Sequence, residues 1–263
     1  MPEDLVLIKF GGSLITDKSK ICLEKIDVIE QLCTMAKNII SMGKKLVIVH
    51  GAGSFGHIKA KKSNLFEGKN INNYESQLLS IKEVRRDMLS LNEIILDSLK
   101  KQNLSAESYI PHKEGKGDGI NYIFSNKIDD LLNSNTIPVT YGDVVDTADT
   151  KEFGILSGDD ICELLTRKLN VSHVVFAIDG ADGIVDDPNL ENGGNLIKNY
   201  SIEHRVVLNK VKNDVTGGMD LKIKRGYNCF KHGSRVSIIN GKKTQMIINA
   251  IKGIDYIGTE FVN

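Results

Sequence analysis

A glycine-rich stretch, HGAGSFGH, runs from His50 to His57 and follows the aliphatic run LVIV. Because glycine has no Cβ atom, the backbone of such a turn can approach a ligand closely. If a helix follows the turn, the free N–H groups and the positive dipole end of that helix favour an anion. The hydroxyl of Ser54 offers a further donor. The stretch therefore predicts a phosphate-binding turn at the end of a strand, with a turn that serves only packing as the alternative.

The same arrangement recurs along the chain. IKFGGSLIT (Ile8–Thr16) places Lys9 just before a Gly-Gly-Ser turn, and SGDD (Ser157–Asp160) predicts another turn that opens a helix. DVTGGM (Asp214–Met219) again precedes a predicted helix, and Lys222 lies one turn inside it. Repeated glycine turns with nearby lysines predict a site that holds several phosphates in a row. The chain has no Walker pattern, and its first predicted strand is not followed by a G-x-G-x-x-G dinucleotide fingerprint.

Length and composition narrow the class of protein. The 263 residues suit one large α/β domain or two small ones, and 41% of them are hydrophobic and 26% charged. The formal net charge is zero, so bulk charge indicates neither a nucleic-acid partner nor an anionic membrane surface. Any anion-binding site must therefore arise from a local arrangement of residues.

Three features favour a cytoplasmic protein. No apolar run approaches the ~20 residues of a membrane span, and MPEDLVLIKF does not have the pattern of a signal peptide. The cysteines form no C-x-x-C pair and no metal-ligand spacing with a histidine, so free thiols in a reducing compartment are expected. These cysteines are Cys22, Cys33, Cys162 and Cys229.

Short aliphatic runs alternate with longer amphipathic segments, which is the pattern of a mostly parallel sheet with helices on both faces. The predicted strands are Leu5–Phe10, Lys45–His50, Thr136–Tyr141, His173–Ile178 and Arg235–Asn240. Apolar residues at helical spacing predict helices at Ile26–Met42, Asn73–Lys100, Asp159–Leu169 and Met219–His232. The polar, glycine-rich stretches Glu114–Gly119 and Asn189–Asn195 are expected to be surface loops or hairpin tips.

A set of motifs in this chain carries a family resemblance. The motifs are IKFGGS, VHGAGSFGH, PVTYGDVV, ILSGDD, AIDGADGI and DVTGGM. Together, from about Leu5 to Phe261, they resemble the amino-acid kinase superfamily and, within it, the isopentenyl phosphate kinases. His57 resembles the histidine with which that branch recognises a phosphate, a feature shared with the fosfomycin kinases. Ala52 departs from the Gly-Gly-Gly of many relatives, which is tolerable only where φ is negative.

The resemblance implies a three-layer αβα sandwich with a central, mostly parallel sheet, formed by one amino-acid kinase domain over residues 1–263. The N-terminal part would bind the acceptor and the C-terminal part the nucleotide. The implied reaction moves the γ-phosphoryl group of ATP onto isopentenyl phosphate, a small-molecule substrate, and gives isopentenyl diphosphate. The implied cofactor is Mg²⁺, carried mainly by the ATP phosphates without a dedicated protein site. The implied assembly is a homodimer.

The resemblance also implies roles for individual residues. Lys9, Lys18 and Lys222 would contact and neutralise the phosphates. Asp159 would orient the lysines rather than act as a base, and His57 would donate a hydrogen bond to the acceptor phosphate. The implied ATP-binding residues are Lys9, Gly11, Gly12, Ser13, Gly53, Asp179, Gly180, Asp182, Gly217 and Lys222. The implied acceptor-binding residues are Gly51, Ala52, Gly53, His57 and Gly158.

Other polar and apolar residues have weaker signals. His50, at the other end of the glycine-rich stretch, is expected to end a strand and to be structural. The remaining histidines carry no motif and are expected to be structural or superficial: His112, His173, His204 and His232. For Asp143 and Asp146 in YGDVVD, loop structure and an indirect role both stay open. An isoprenoid tail needs an apolar slot, and the helix over Asn73–Lys100 is the expected wall. Its candidates are Ile81, Val84 and Met88, although a helical apolar stripe is more often ordinary core.

The sequence leaves two other functions open. One keeps the chemistry and changes the acceptor to fosfomycin, another small phosphate or phosphonate, or an amino acid. No motif for recognising a carboxylate together with an ammonium group is visible. The other is a non-catalytic nucleotide or oxyanion binder on the same fold, against which the presence of Lys9, Lys222 and an intact TGGM turn speaks.

Overall fold

The computed structural model describes residues 4–186, 194–201 and 218–263. Its strands are β1 (Leu5–Phe10), β2 (Lys45–His50), β3 (Ala106–Ser108), β4 (Gly115–Lys116), β5 (Ile123–Phe124), β6 (Ile137–Tyr141), β7 (Asp143–Asp146), β8 (Phe153–Leu156), β9 (Val171–Ile178), β10 (Asn199–Tyr200), β11 (Arg235–Asn240) and β12 (Thr259–Phe261). Its helices are α1 (Gly12–Ile15), α2 (Ile26–Ser41), α3 (Gly53–Lys62), α4 (Tyr74–Lys101), α5 (Pro111–Glu114), α6 (Lys127–Asn133), α7 (Gly158–Lys168), α8 (Gly218–Lys231) and α9 (Thr244–Lys252).

Most strands form one sheet in the order β10-β12-β11-β9-β1-β2-β6-β3. The pairs that run from β11 through β9, β1 and β2 to β6 are parallel, so the carboxyl ends of these strands share one edge. The chain proceeds from β1 to β2 and β6 on one side and then returns to β9 and β11 on the other. The sheet therefore has a topological switch point at β1, which is where open α/β sheets bind ligands.

Side chains of β1 alternate between two apolar layers, one on each face of the sheet. Ile8 and Phe10 pack in a cluster that includes buried residues of α2, α4 and α9. Leu5 and Leu7 pack in a second cluster that includes buried residues of α7 and α8. Burial on both faces explains why the strand sequences are continuously apolar. The predicted three-layer αβα sandwich with a mostly parallel sheet is confirmed.

The predicted strands and helices are all present, and their ends lie within two residues of the prediction. Glu114–Gly119 contains β4, which pairs with β5 as a hairpin, as expected. Asn189–Asn195 lies largely outside the described residues. The sequence interpretation did not predict α3 as a definite helix, because two glycines in GSFGHIKAKK weaken both its helix propensity and its apolar pattern. It also missed the hairpin of β7 and β8, whose strands are only four residues long.

Within the described ranges, no helix is both long and apolar enough to pass through a membrane. The four cysteines are free thiols, as expected. Three of them, Cys33, Cys162 and Cys229, are buried among the apolar residues of the core.

Candidate active site

A cavity of about 330 Å³ lies at the carboxyl edge of the sheet, beside the end of β1. Its walls include the turns after β1 and β2 and the first residues of α3, α7 and α8. Helix starts carry N–H groups without intrahelical partners and the positive end of the helix dipole. Three helix starts at one cavity therefore favour an anionic ligand.

The turns after β1 and β2 pack directly against each other. A Cβ atom at Gly12 would lie 2.3 Å from the Gly53 nitrogen, and one at Gly51 would lie 2.6 Å from the Gly12 nitrogen. Gly53 has a φ of +49°, and a Cβ atom there would lie 2.0 Å from Thr16 Oγ1. Glycine is therefore required by the close approach of the two backbones, in addition to any need of a ligand.

A buried cluster of two lysines and one carboxylate lines the cavity. Lys9 Nζ lies 2.6 Å from Asp159 Oδ1, and Lys222 Nζ lies 3.1 Å from the same oxygen. Lys9 and Asp159 are 6% and 5% exposed. The Lys222 ammonium group also lies 5.5 Å from the centroid of the Phe176 ring. β1, α7 and α8 thus each contribute one charged group, and Asp159 holds the two lysines together.

The ionisation of this cluster follows from burial and from the charges themselves. Burial alone would raise the pKa of Asp159, but Lys222 and Lys9 lower it to about 2. Burial is the largest single effect on Lys9 and lowers its pKa, but the opposing effects, led by attraction to Asp159, together raise it. Burial is the larger effect at Lys222, whose pKa is lowered. With both ammonium groups bound to one carboxylate, the cluster carries a net positive charge that an incoming phosphate can meet.

Asp159 is positioned by the way in which α7 begins. The Asp160 N–H donates to Ser157 Oγ at 3.0 Å, and the Ser157 N–H donates to Asp160 Oδ2 at 3.2 Å. This reciprocal pair is a capping box, which fixes the first turn of the helix. Gly158 leaves room for Lys9, since a Cβ atom at Gly158 would lie 3.0 Å from Lys9 Cε.

Lys222 is positioned by a second set of contacts between α7 and α8. Arg225 Nε lies 2.7 Å from Asp160 Oδ1, and Arg225 Nη1 lies 2.9 Å from Glu163 Oε2. Asn228 Nδ2 donates to the same Glu163 oxygen at 2.9 Å. Glu163 is fully buried, so these polar contacts satisfy its charge. The contacts hold α8, and with it Lys222, against α7.

The two remaining candidate catalytic residues lie at the same cavity. His57 lies near the start of α3 and lines the cavity wall. Lys18 also lines the cavity, from the exposed segment that follows α1. Ala52, just before α3, has a φ of −73°, so its side chain is accommodated without backbone strain, as expected.

The cavity brings together most of the residues that the resemblance implies. They are Lys9, Gly11, Gly12, Ser13, Lys18, Gly51, Ala52, Gly53, His57, Gly158, Asp159, Asp179 and Lys222. Gly180 and Asp182 do not line it, and Asp182 instead pairs with Lys243 at 2.7 Å. Gly217 lies outside the described residues. Gly11 lines the cavity, but its N–H donates to the Ala177 carbonyl oxygen at 2.9 Å and so is not available to a phosphate.

One part of the cavity wall is apolar. It is formed by Ala60, Phe66, Val84, Val144 and Ile155. Of the three apolar candidates on α4, only Val84 lines the cavity, whereas Ile81 and Met88 belong to the core. Phe66 and Ile155 carry no sequence signal, because their place in the wall depends on how a 3₁₀ turn and the β7–β8 hairpin pack against the sheet.

The structure separates the two aspartates of YGDVVD. Asp143 lines the cavity, and its buried carboxylate lies 2.7 Å from His112 Nδ1 and accepts a hydrogen bond from the Val144 N–H. The Asp146 side chain is 64% exposed and pairs with Arg85 at 2.7 Å. Asp143 thus supports the cavity wall, while Asp146 belongs to the surface.

The other described histidines are either buried in the core or exposed at the surface. His50 is buried, with Nε2 lying 3.2 Å from Asn92 Oδ1, and burial lowers its pKa to about 4. His173 is buried against Ser237, and burial lowers its pKa to about 3. His232 is exposed, and His204 lies outside the described residues.

Comparisons with known proteins agree with the family resemblance of the sequence motifs. The family model described as the amino acid kinase family matches residues 4–240. A protein of Methanocaldococcus jannaschii named isopentenyl phosphate kinase is 32% identical over 97% of this chain and 98% of its own length. One of the same name from Thermoplasma acidophilum is 31% identical over 97% and 99%. The solved substrate complex of an isopentenyl phosphate kinase aligns with a TM-score of 0.81 and 27% identity over 99% of this chain and 100% of that one.

The match to the family model extends from β1 to the end of β11 and so includes each strand whose carboxyl end borders the cavity. The relatives from Methanocaldococcus jannaschii and Thermoplasma acidophilum match this chain almost from end to end. The chain belongs to the amino acid kinase family, in which its full-length relatives include the isopentenyl phosphate kinases.

Proposed function

We propose that this kinase transfers the γ-phosphoryl group of ATP to isopentenyl phosphate, forming isopentenyl diphosphate and ADP. The observation that carries the proposal is a single cavity that joins the cluster of Lys9, Asp159 and Lys222 to His57 and to an apolar wall. A ligand that fits such a cavity has phosphate at one end and a short hydrocarbon at the other. The names of the full-length relatives support the same acceptor.

The lysines would act on the group in transfer. Two phosphates repel each other, and negative charge spreads over the oxygens of the γ-phosphoryl group as it moves. Lys9 and Lys222 would offset this charge from positions that Asp159 has already fixed, so little reorganisation is needed during the reaction. Lys18, which is exposed at the cavity mouth, would add a third positive charge once both substrates are bound.

His57 would act on the acceptor. It would donate a hydrogen bond to the phosphate of isopentenyl phosphate and so align one oxygen with the γ-phosphorus. The new bond forms between that oxygen and the γ-phosphorus, while the bond to the β–γ bridging oxygen breaks and its electron pair leaves with ADP. The attacking oxygen is already an anion, so no general base is needed.

The apolar wall would take the hydrocarbon. Val84 comes from α4, Phe66 from the turn at Leu65–Glu67, and Val144 and Ile155 from the β7–β8 hairpin. These side chains can remove a branched five-carbon group from water but offer it no hydrogen bond. This wall distinguishes the site from one built for an amino-acid acceptor, which would place polar groups there.

Magnesium would enter with ATP. Within the described residues, no group of three or more histidine, cysteine, aspartate or glutamate side chains could hold a metal ion. Phosphate oxygens would therefore be the main ligands, and the bound ion would neutralise phosphate charge. Asp159 would contribute little to holding the ion, since two lysines already engage it.

We also propose a division of labour within one domain over residues 1–263. The turn after β2 and α3 would hold the acceptor, while Asp179 and α8, in the C-terminal part, would lie on the nucleotide side. The family resemblance supports a cytoplasmic homodimer. Sedimentation equilibrium at micromolar concentration would give twice the chain mass for a dimer, and the mass of one chain would exclude it.

The test of the proposal is a comparison of acceptors under one set of conditions. Steady-state rates are measured with ATP and either isopentenyl phosphate, dimethylallyl phosphate, fosfomycin or glutamate. We expect the highest kcat/KM with isopentenyl phosphate, and ³¹P NMR should show its diphosphate. A preference for fosfomycin or glutamate would contradict the acceptor assignment. ATP binding without turnover on any acceptor would favour a non-catalytic binder.

A further inference from the structure

Lys25, at the start of α2, contacts two residues of the cavity wall. Its Nζ donates to the Ser13 carbonyl oxygen at 2.8 Å and to Asp179 Oδ2 at 3.0 Å. Its backbone N–H donates to the Ile15 carbonyl oxygen at 2.8 Å. Both the side chain and the backbone of Lys25 are thus held, and they tie the turn after β1 to the turn after β9.

Asp179 is an unfavourable group in a site for ATP. The described lining of the cavity has three lysines (Lys9, Lys18, Lys222) and three aspartates (Asp143, Asp159, Asp179), so these formal charges cancel. Burial would raise the pKa of Asp179, but hydrogen bonds from Lys242 and Lys25 lower it below its usual value. Its ionised carboxylate would repel phosphates unless neighbouring charges offset it.

Two lysines contact the two oxygens of Asp179, and they are not equivalent. Lys25 Nζ lies 3.0 Å from Oδ2, and Lys242 Nζ lies 2.8 Å from Oδ1. The Lys25 side chain is 29% exposed, whereas that of Lys242 is 51% exposed. Exposed ion pairs contribute little because solvent and salt screen them. Solvent therefore screens the Lys25 contact less than the Lys242 contact, and Lys25 also binds Ser13.

We infer that Lys25 is a positioning residue for the nucleotide. Its ammonium group offsets the charge of Asp179 and holds the Ser13 turn, so that this side of the cavity accepts the phosphates of ATP. The inference rests on the proposed use of ATP as phosphoryl donor. It gives Asp179 the task of anchoring Lys25 rather than that of touching a phosphate.

The first test compares Lys25→Met and Lys25→Arg with a control, Lys20→Met, which changes an exposed lysine in the same segment. Calorimetry measures the Kd of ATP without acceptor, and thermal unfolding checks the fold. We expect Lys25→Met to raise the Kd of ATP about tenfold, because one half-buried charge is lost. Lys25→Arg should retain most of the affinity, and Lys20→Met should not change it. An unchanged Kd in Lys25→Met would overturn the inference.

The second test separates the offset of charge from direct phosphate binding and from a purely structural role. In the double variant Lys25→Met/Asp179→Asn, removal of the carboxylate should restore the Kd of ATP to within about threefold of the wild-type value. A double variant that binds ATP no better than Lys25→Met would overturn the inference. Should Lys25→Met fail to fold, Asp179→Asn alone decides: we expect it to bind ATP at least as tightly as the wild type, and weaker binding would overturn the inference.

These outcomes are independent of the acceptor. A wrong acceptor assignment would leave the pattern of ATP affinities unchanged, because no acceptor is present in the calorimetry. With the acceptor added, the KM of ATP should follow the Kd, while the KM of isopentenyl phosphate should change by less than about twofold across the set. A rise in the KM of isopentenyl phosphate alone would place Lys25 on the acceptor side and overturn the inference.

Discussion

Lys9 carries a charge in a place where an isolated ammonium group would be strongly disfavoured. It is 6% exposed, and its charge is stabilised by Asp159 at 2.6 Å. Lys222 shares the same carboxylate oxygen, so the two ammonium groups are held close together despite their mutual repulsion. This arrangement prepares the site for an anion before any anion arrives, which is the basis of electrostatic preorganisation.

The first prediction at the residue scale concerns Lys9. In Lys9→Met, we expect kcat to fall about 10²- to 10³-fold, the scale seen when one group that stabilises transition-state charge is removed. The KM of ATP should rise much less, because other groups of the site still hold the nucleotide. Equal losses in kcat and in ATP affinity would show that Lys9 is a simple binding group. The thermal stability of the variant should be measured alongside its kinetics, since Asp159 loses one of its two partners.

The second prediction concerns His57. In His57→Ala, we expect the rate with isopentenyl phosphate to fall about 10²-fold, because a hydrogen bond to the acceptor phosphate is lost. The fold should persist, since His57 lines a cavity and is not a core residue. His232→Ala, at an exposed position, is the matched control and should retain full activity. A fully active, stably folded His57→Ala enzyme would contradict the assignment.

The sequence predicts that a residue belongs to the site when its position depends only on the local backbone. Lys9, Gly12 and Gly53 are visible because a strand end followed by glycine is a local pattern. Lys25 and Phe66 have no such pattern, because their place at or beside the cavity depends on segments distant in sequence. Gly11 shows the converse limit. The sequence places this glycine at the cavity, but it does not reveal that the Gly11 N–H donates to the Ala177 carbonyl oxygen of β9.

At the scale of elements, the contact between α7 and α8 determines where two of the three charged groups lie. Arg225 binds both Asp160 and Glu163, while Asp160 also caps α7 through Ser157. The cap of one helix and the position of the next are therefore linked through one arginine. A disturbance of this contact should reach the cavity through Lys222 and Asp159.

The third prediction tests this link. In Arg225→Met, we expect kcat to fall about tenfold or more, because Lys222 is less firmly placed, while the KM of isopentenyl phosphate stays nearly unchanged. Arg225→Lys should recover only part of the loss, since lysine cannot bind both carboxylates in the same geometry. Arg167→Met is the control, because Arg167 binds Glu163 from within α7 and does not hold α8. Equal losses in Arg225→Met and Arg167→Met would contradict a positioning role.

The elements themselves were predictable to different degrees. Strands covered on both faces, such as β1 and β9, are continuous apolar runs that local sequence reveals. The hairpin of β7 and β8 was not predicted, although PVTYGDVV was recognised as a motif. Its strands are four residues each and pair only with one another, so their existence depends on packing rather than on pattern.

At the scale of the whole molecule, two buried neutral histidines make stability depend on pH. Burial lowers the pKa of His50 to about 4 and that of His173 to about 3, from an ordinary value of 6.5. Between these values the unfolded chain binds protons that the folded protein does not. Acidification below about pH 6.5 therefore favours unfolding.

The fourth prediction follows from this difference. The free energy of unfolding should fall as the pH is lowered from about 6.5 towards 4, by about 1.4 kcal/mol per pH unit for each of the two histidines. The unfolded chain of His173→Gln binds one proton fewer than the unfolded wild type, so the slope of unfolding free energy against pH should be roughly halved. Urea unfolding at several pH values measures it, with His232→Gln as the exposed control. A slope that is the same in both variants would contradict this cause.

The central claim is that two phosphates meet end to end beside Lys9, Lys222 and His57. The most direct measurement is a crystal structure with isopentenyl phosphate and a non-hydrolysable ATP analogue. We expect Lys9 Nζ and Lys222 Nζ within hydrogen-bond distance of the terminal phosphate of the analogue, and His57 bonded to the acceptor phosphate. A complex in which these three side chains contact separate regions, or in which the nucleotide lies away from the cavity, would contradict the claim.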